Sequence, residues 1–316
     1  MKFRGFICMV VIFAFTSLAY GQQEPQISHN MFNNLGINPG FAGLSGQIGI
    51  TGIARHQWLG FNDADGQSLN PETYLLSADA PIPFLRGGLG LGFMQDRLGY
   101  ELNFGVRLSY SYHVQLNQGK LGLGAQIGFL DKRFDLGKLT TIIGDDPALR
   151  GGIEESMFFT DFALGVFYNE EGKRWAGLSM SQIARSNPSA GEMFSLSRHA
   201  YFSGGQHFEL LSLPDYIISP SLLVKTDFTS TQIDLNVMLT YNNRLWGGVS
   251  YRLRDAMVFF LGIKLDQIKL GYSYDFTTSA IGRGGRSAGS HEIMVKYSFD
   301  LDIERDREVQ RNIRFL

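Results

Sequence analysis

Residues 102–116 read LNFGVRLSYSYHVQL, which puts Leu102, Phe104, Val106, Leu108, Tyr110, Tyr112, Val114 and Leu116 on one parity and Asn103, Arg107, Ser109, His113 and Gln115 on the other. Successive side chains of an extended chain point to opposite faces, so this stretch is a long strand with one apolar and one polar side. The same alternation sets Leu121–Phe129 against Gly122, Gly124, Gln126 and Gly128, and Ile233–Tyr241 against Asp234, Asn236 and Thr240. It returns in Ile268–Phe276 against Lys269, Ser273 and Asp275, and in Ile293–Phe299 against Glu292, Lys296 and Ser298. Glycines and full charges recur on the polar side.

Alternation alone fits both a soluble sandwich and a barrel in lipid, since each has one apolar and one polar face. Strand length and loop order separate them. The pattern places strands at 46–58, 70–80, 86–95, 100–116, 119–134, 158–168, 173–181, 198–209, 216–227, 230–241, 244–251, 256–265, 267–276 and 289–299. Many reach the ~9–11 residues needed to cross a bilayer at a tilt, against a soluble mode of ~5–6. Short turns at Asn117-Gln118-Gly119, 169–172, Asn242-Asn243 and Asp266-Gln267 follow even-numbered strands, while the longest connections, 135–157, 182–197 and 277–288, follow odd-numbered ones. A sandwich has no reason to segregate its loops in this way. The expected fold is therefore all-β: a closed antiparallel transmembrane β-barrel of about fourteen strands in the cell outer membrane, with both termini periplasmic and the long loops outside.

The chain starts with Lys2 and Arg4, continues through an apolar run at 6–18 and reaches Ala19-Tyr20-Gly21. This is the pattern of a cleaved signal peptide spanning 1–21. The apolar run is shorter than the ~20 residues of a membrane helix. Its loss takes the only cysteine, Cys8, which excludes disulfides, thiolate metal sites and a cysteine nucleophile from the mature chain. Without Lys2 and Arg4, 26 basic residues stand against 30 acidic ones, a balance that does not favour nucleic acid. With no composition break or fixed repeat, the rest divides into an N-terminal periplasmic segment at 22–45, a barrel at 46–299 and a charged periplasmic tail at 300–316.

GGLGLGF at 87–93 has the glycine density of a phosphate loop, but it lies within a strand pattern rather than between a strand and a helix. Tight packing or bending of the barrel wall explains it better. Six scattered histidines offer no metal spacing, and no cofactor is expected. Ser111 and His113 share the polar parity, where lumen lining is a simpler reading than a serine hydrolase facing lipid. Arg107, His113, Asp234, Lys264, Lys269, Asp275, Glu292 and Lys296 are the expected lumen-lining residues. Because both signs occur among them, a network that closes the lumen is favoured over an open pore.

QEPQISHNMFNNLGINPGFAG, ARHQWLGFNDA and ETYLLSADAPI near the start, with DLNVMLTYNNRLWGGVSYRLRDA, LGYSYDFTTS and GSHEIMVKYSF near the end, together resemble the PorP/SprF family of the type IX secretion and gliding system. Gly40 and Phe41 stand where that family more often has Ala and Tyr, and Asn62-Asp63-Ala64-Asp65-Gly66 replaces a Gly-Ala-Pro-like turn. The resemblance implies a non-enzymatic outer-membrane component that serves delivery or surface attachment of secreted proteins. The partners it implies are type IX machinery, the C-terminal domains of cargo proteins, or both. Phe32, Asn38, Pro39 and Phe41 with Ile313, Arg314 and Phe315 are the candidate partner-binding residues, on a periplasmic platform made by the two chain ends. A diffusion channel or hydrophobic-solute transporter shares the expected fold, and an outer-membrane lipid hydrolase is the enzymatic alternative.

Overall fold

The computed structural model describes residues 24–62, 66, 68–135, 154–184, 196–279 and 287–300. Its strands are β1 (Gln47–His56), β2 (Glu72–Ile82), β3 (Gly87–Leu98), β4 (Glu101–Leu116), β5 (Gly119–Asp135), β6 (Glu154–Glu170) and β7 (Arg174–Ser181). β8 comes in two pieces, His199–Gln206 and Phe208–Leu210, which both pair with β9 (Leu213–Thr226). The remainder are β10 (Thr231–Tyr241), β11 (Leu245–Arg252), β12 (Ala256–Leu265), β13 (Ile268–Thr277) and β14 (Ser290–Asp300).

Every strand pairs antiparallel with its neighbours in sequence, and β14 closes on β1 from Gln47↔Asp300 to His56↔His291. The molecule is a closed fourteen-stranded up-and-down barrel, as the alternation implies. Closure pairs the last strand with the first and leaves the barrel without an open sheet edge, which a hydrocarbon surrounding demands. Among the described residues no helix is long and apolar enough to cross a membrane.

The wall is inside-out relative to a soluble protein. Leu108, Leu235 and Leu261 are exposed to 51%, 52% and 63%, whereas Ser111, Asp234, Asp275 and Glu292 on the other parity are buried. Apolar side chains on an outer surface are tolerated where the solvent is lipid. The even-numbered connections are all short, including the turn at Pro83–Leu85 and the one between β8 and β9. The odd-numbered connections share the opposite end. Much of the connections after β5, β7 and β13, at 136–153, 185–195 and 280–286, lies outside the described residues.

The plugged lumen as candidate functional site

Residues 24–46 run through the barrel, from the long-loop end down to the start of β1. The segment expected below the membrane is thus the filling of the lumen. It carries three single turns, Asn30–Phe32, Asn34–Ile37 and Pro39–Phe41. Each closes with a backbone N–H donating to the first carbonyl of its own turn, and Asn38 Oδ1 caps the third by accepting from Gly40 N at 2.8 Å. Irregular backbone is tolerated at membrane depth only when protein surrounds and satisfies it.

Near the tight-turn end the plug rests on bare backbone. Gly122 and Gly124 of β5, Gly165 of β6 and Gly177 of β7 face inward, and a Cβ on any of them would collide with Asn38, Pro39 or Gly40. On β3, Gly88 and Gly90 admit Ala42, Gly43 and Leu35 in the same way. Gly88 and Gly90 of the GGLGLGF stretch are therefore a packing surface. Asn38 Nδ2 donates to the carbonyls of Val166 at 3.0 Å and Leu178 at 3.2 Å. Ser111 Oγ donates to Gly40 O at 2.9 Å, His113 Nε2 meets Ala42 O at 2.9 Å, and Gly43 N donates to Asp79 Oδ2 at 3.0 Å. Phe41 packs edge-on against Phe167 with centroids 5.2 Å apart.

Near the long-loop end the plug is held by buried charge. Glu292 of β14 accepts from the backbone N–H groups of Ser28 at 2.8 Å and His29 at 2.7 Å, and its Oε1 also meets His29 Nδ1 at 2.7 Å. Arg55 of β1 donates to Ser28 Oγ at 2.8 Å, Asp275 Oδ2 at 2.8 Å and Glu292 Oε2 at 3.3 Å. Ser28 Oγ donates in turn to Asp275. Arg252 of β11 bridges Asp275 at 3.2 Å and Asp234 at 3.4 Å, and Asp234 accepts from Asn30 Nδ2 at 3.4 Å. All five ionic side chains are at most 3% exposed. Charges so far out of water persist only when paired and hydrogen-bonded, and here the plug's own groups complete the pairing. Phe32 sits beside this cluster against Trp246, with centroids 4.8 Å apart.

The lumen-lining residues expected from the sequence fall into three groups. Asp234, Asp275 and Glu292 join the ion cluster, and Arg107 pairs with Glu24 of the plug at 3.0 Å while donating to Gly36 O at 3.3 Å. His113 binds plug backbone. Lys264, Lys269 and Lys296 form one register row across β12, β13 and β14, and Lys269 Nζ stands 5.7 Å from the centre of the Phe32 ring. Phe32, Asn38, Pro39 and Phe41 lie against the inner wall and not on a platform below it, because the glycine cradle and the aromatic contacts give their surfaces partners inside. Ile313, Arg314 and Phe315 lie outside the described residues. The counter-charges Arg55 and Arg252 were not singled out, although both stand on inward parities. Ser28, His29 and Glu24 carried no local signal, since their partners are distant in sequence.

Comparison with known proteins decides the family. The model of the type IX secretion system membrane protein PorP/SprF matches residues 19–297. The chain belongs to the PorP/SprF family. This PorP/SprF barrel is an outer-membrane protein. No curated protein sequence matches it significantly. Similar solved structures include the Acinetobacter baumannii outer membrane protein Omp33, 8% identical over 81% of this chain and 100% of that one with a TM-score of 0.45. Others are the KdgM porin, 12% identical over 79% and 99% with a TM-score of 0.38, and a Pseudomonas aeruginosa FadL homologue, 11% identical over 80% and 89% with a TM-score of 0.40.

Proposed function

We propose that this PorP/SprF barrel works in type IX secretion as an accessory holder, which binds cargo, periplasmic machinery or both to support delivery and surface attachment of secreted proteins. The observation that supports this reading is the filled lumen. A wall whose interior is occupied by its own chain, gripped by Arg55, Asp275, Glu292 and Arg252, leaves its loops, turns and outer face as the surfaces for partners. Cargo C-terminal domains would meet the long loops on the cell surface, and machinery would meet the tight turns and residues 301–316 in the periplasm. Transport of solutes through the lumen would require residues 24–45 to leave it, at the cost of exposing an unpaired ionic cluster.

Pull-down of the tagged barrel from detergent-solubilised outer membrane, read by mass spectrometry, tests the proposal. Recovery of type IX machinery or cargo, together with electrical silence in a planar bilayer, is the expected outcome. A steady open conductance without secretion partners would sink it in favour of a channel.

A further inference from the structure

The plug crosses the lumen obliquely. Toward the long-loop end Ser28, His29 and Phe32 lie against β11 and β14, whereas at the tight-turn end Asn38, Gly40 and Gly43 bond to β6, β7, β4 and β2. The inner wall of β11–β14 is thereby left to face the tight-turn mouth. A register row of Trp246, Gly262, Gly271 and Met294 forms the floor there, with the indole of Trp246 lying where a Cβ on Gly262 or Gly271 would stand. Trp246 and Met294 are at most 6% exposed, so the floor is sealed.

One inward position nearer the mouth, solvent reaches the wall again. Lys264 is exposed there, Lys269 and Lys296 are half-buried, and all three are cross-strand neighbours. Arg244, exposed and on the parity of Trp246, extends the row, since Lys264 N donates to its carbonyl at 2.6 Å. Four cations thus stand in line with no acid among them. Like charges directly opposite one another destabilise a sheet, and the charges that act most on Lys269 are those of Lys296 and Lys264. None of the four makes an ion pair or a side-chain hydrogen bond with another described residue. Lys269 has only the Phe32 ring, 5.7 Å away. Asp79 attracts Lys296 from beyond ion-pair distance while its Oδ2 accepts from Gly43 N, and Asp300 accepts from Gln47 Nε2. The buried cations at the other end of the lumen, Arg55 and Arg252, are by contrast matched by carboxylates.

We infer that this blind basic vestibule receives an acidic, extended segment of a periplasmic protein, an inference that rests on the reading above for the side of the membrane and the kind of partner. Adjacent strands lie ~4.8 Å apart, so the row is roughly 14 Å long. Side chains on one face of an extended segment repeat every ~6.8 Å, and three carboxylates at alternate positions span that length. A single phosphate reaches only part of it. The row points into the lumen, away from lipid. Residues 301–316 carry four acidic and four basic side chains, so they bring no net charge to the site.

The test is fluorescence anisotropy of the full-length barrel in non-ionic detergent with a labelled peptide of four glutamates alternating with serines. The wild-type barrel should bind it, more weakly as salt rises, and should ignore the same labelled peptide with glutamines in place of glutamates. Lys264→Gln, Lys269→Gln and Lys296→Gln together should weaken binding about tenfold, a few tenths to one exposed ion pair's worth at each position. Arg244→Gln with Lys264→Gln, both at exposed positions, is the second variant and should weaken it several-fold. Lys173→Gln, at another tight turn but already paired with Glu170 at 2.9 Å, should change nothing. Heat-modifiable gel mobility checks that each variant is folded. Undiminished binding by folded variants, equal binding of the glutamine peptide, or displacement by inorganic phosphate as effective as by unlabelled peptide at matched ionic strength would overturn the inference. So would a gain in affinity on deletion of residues 301–316, which would make the chain's own tail the occupant. The peptide is scored on the isolated barrel. A barrel that binds it but recovers no secretion component therefore counts against the accessory role alone, and one that recovers components without binding it counts against the vestibule alone.

Discussion

Arg55 and Leu108 show how differently the two faces of one wall respond to substitution. Arg55 is 1% exposed and serves Ser28, Asp275 and Glu292 at once. Arg55→Met removes one member of a buried cluster and leaves carboxylates without their counter-charge, so it should cost about 3–5 kcal/mol. The measurement is the temperature at which the folded, fast-migrating barrel is lost on a gel, and an unchanged transition would mean the cluster is solvated. Leu108 is half exposed to lipid, and Leu108→Arg should cost about 2–4 kcal/mol near the middle of the bilayer, read as reduced yield of folded barrel. Its neighbour Ser109 stands on the opposite parity, where a wet or polar lumen would accept such a charge. Instead it is 3% exposed and donates to Gln126 Oε1 at 3.1 Å, so an arginine there meets packed interior. Parity identified the face on which each residue stands, but the dryness of the lumen depended on a segment far away in the sequence.

At the level of elements, the plug and the strands that seat it make one packing unit. Gly124→Val places its side chain where Pro39 and Gly40 lie, an overpacking that typically costs ~1–3 kcal/mol unless the plug moves out. Deleting residues 24–45 should leave the wall's strand pairing intact and convert an electrically silent barrel into a conducting one. Single-channel recording decides this, and a silent deletion variant would show that something else closes the lumen. Connection lengths make a separate prediction. With tight turns in the periplasm, single cysteines placed at 136–153 should react with an impermeant reagent on intact cells, and those at Asn117 or Asn242 should not. The reverse labelling would invert the barrel in the membrane.

For the whole molecule, Gln47 and Asp300 are register partners, so the chain enters the first strand and leaves the last at one end of the barrel. An even strand number requires this. Residues 301–316 follow Asp300, which stands at the tight-turn mouth where the plug passes into β1. Deleting them should spare barrel assembly and abolish copurification with periplasmic secretion components. Wild-type recovery of every partner by the truncated barrel would move those contacts to the wall or the outer loops.

The sequence by itself determined the wall. Alternation over 102–116 and its counterparts, with short turns after even strands, places all fourteen strands, their outward leucines and their inward charges, because each depends on chain-local geometry with a period of two. It did not determine what fills that wall. The run around Asn38-Pro39-Gly40 has no periodicity, and its partners Gly124, Gly165 and Gly177 follow it by more than eighty residues. Ser28 likewise meets Arg55, Asp275 and Glu292 only after the barrel has closed and brought β1, β13 and β14 side by side. Only the tertiary structure made the lumen a packed interior, because burial and ion pairing there arise from closure and not from any neighbour in the sequence.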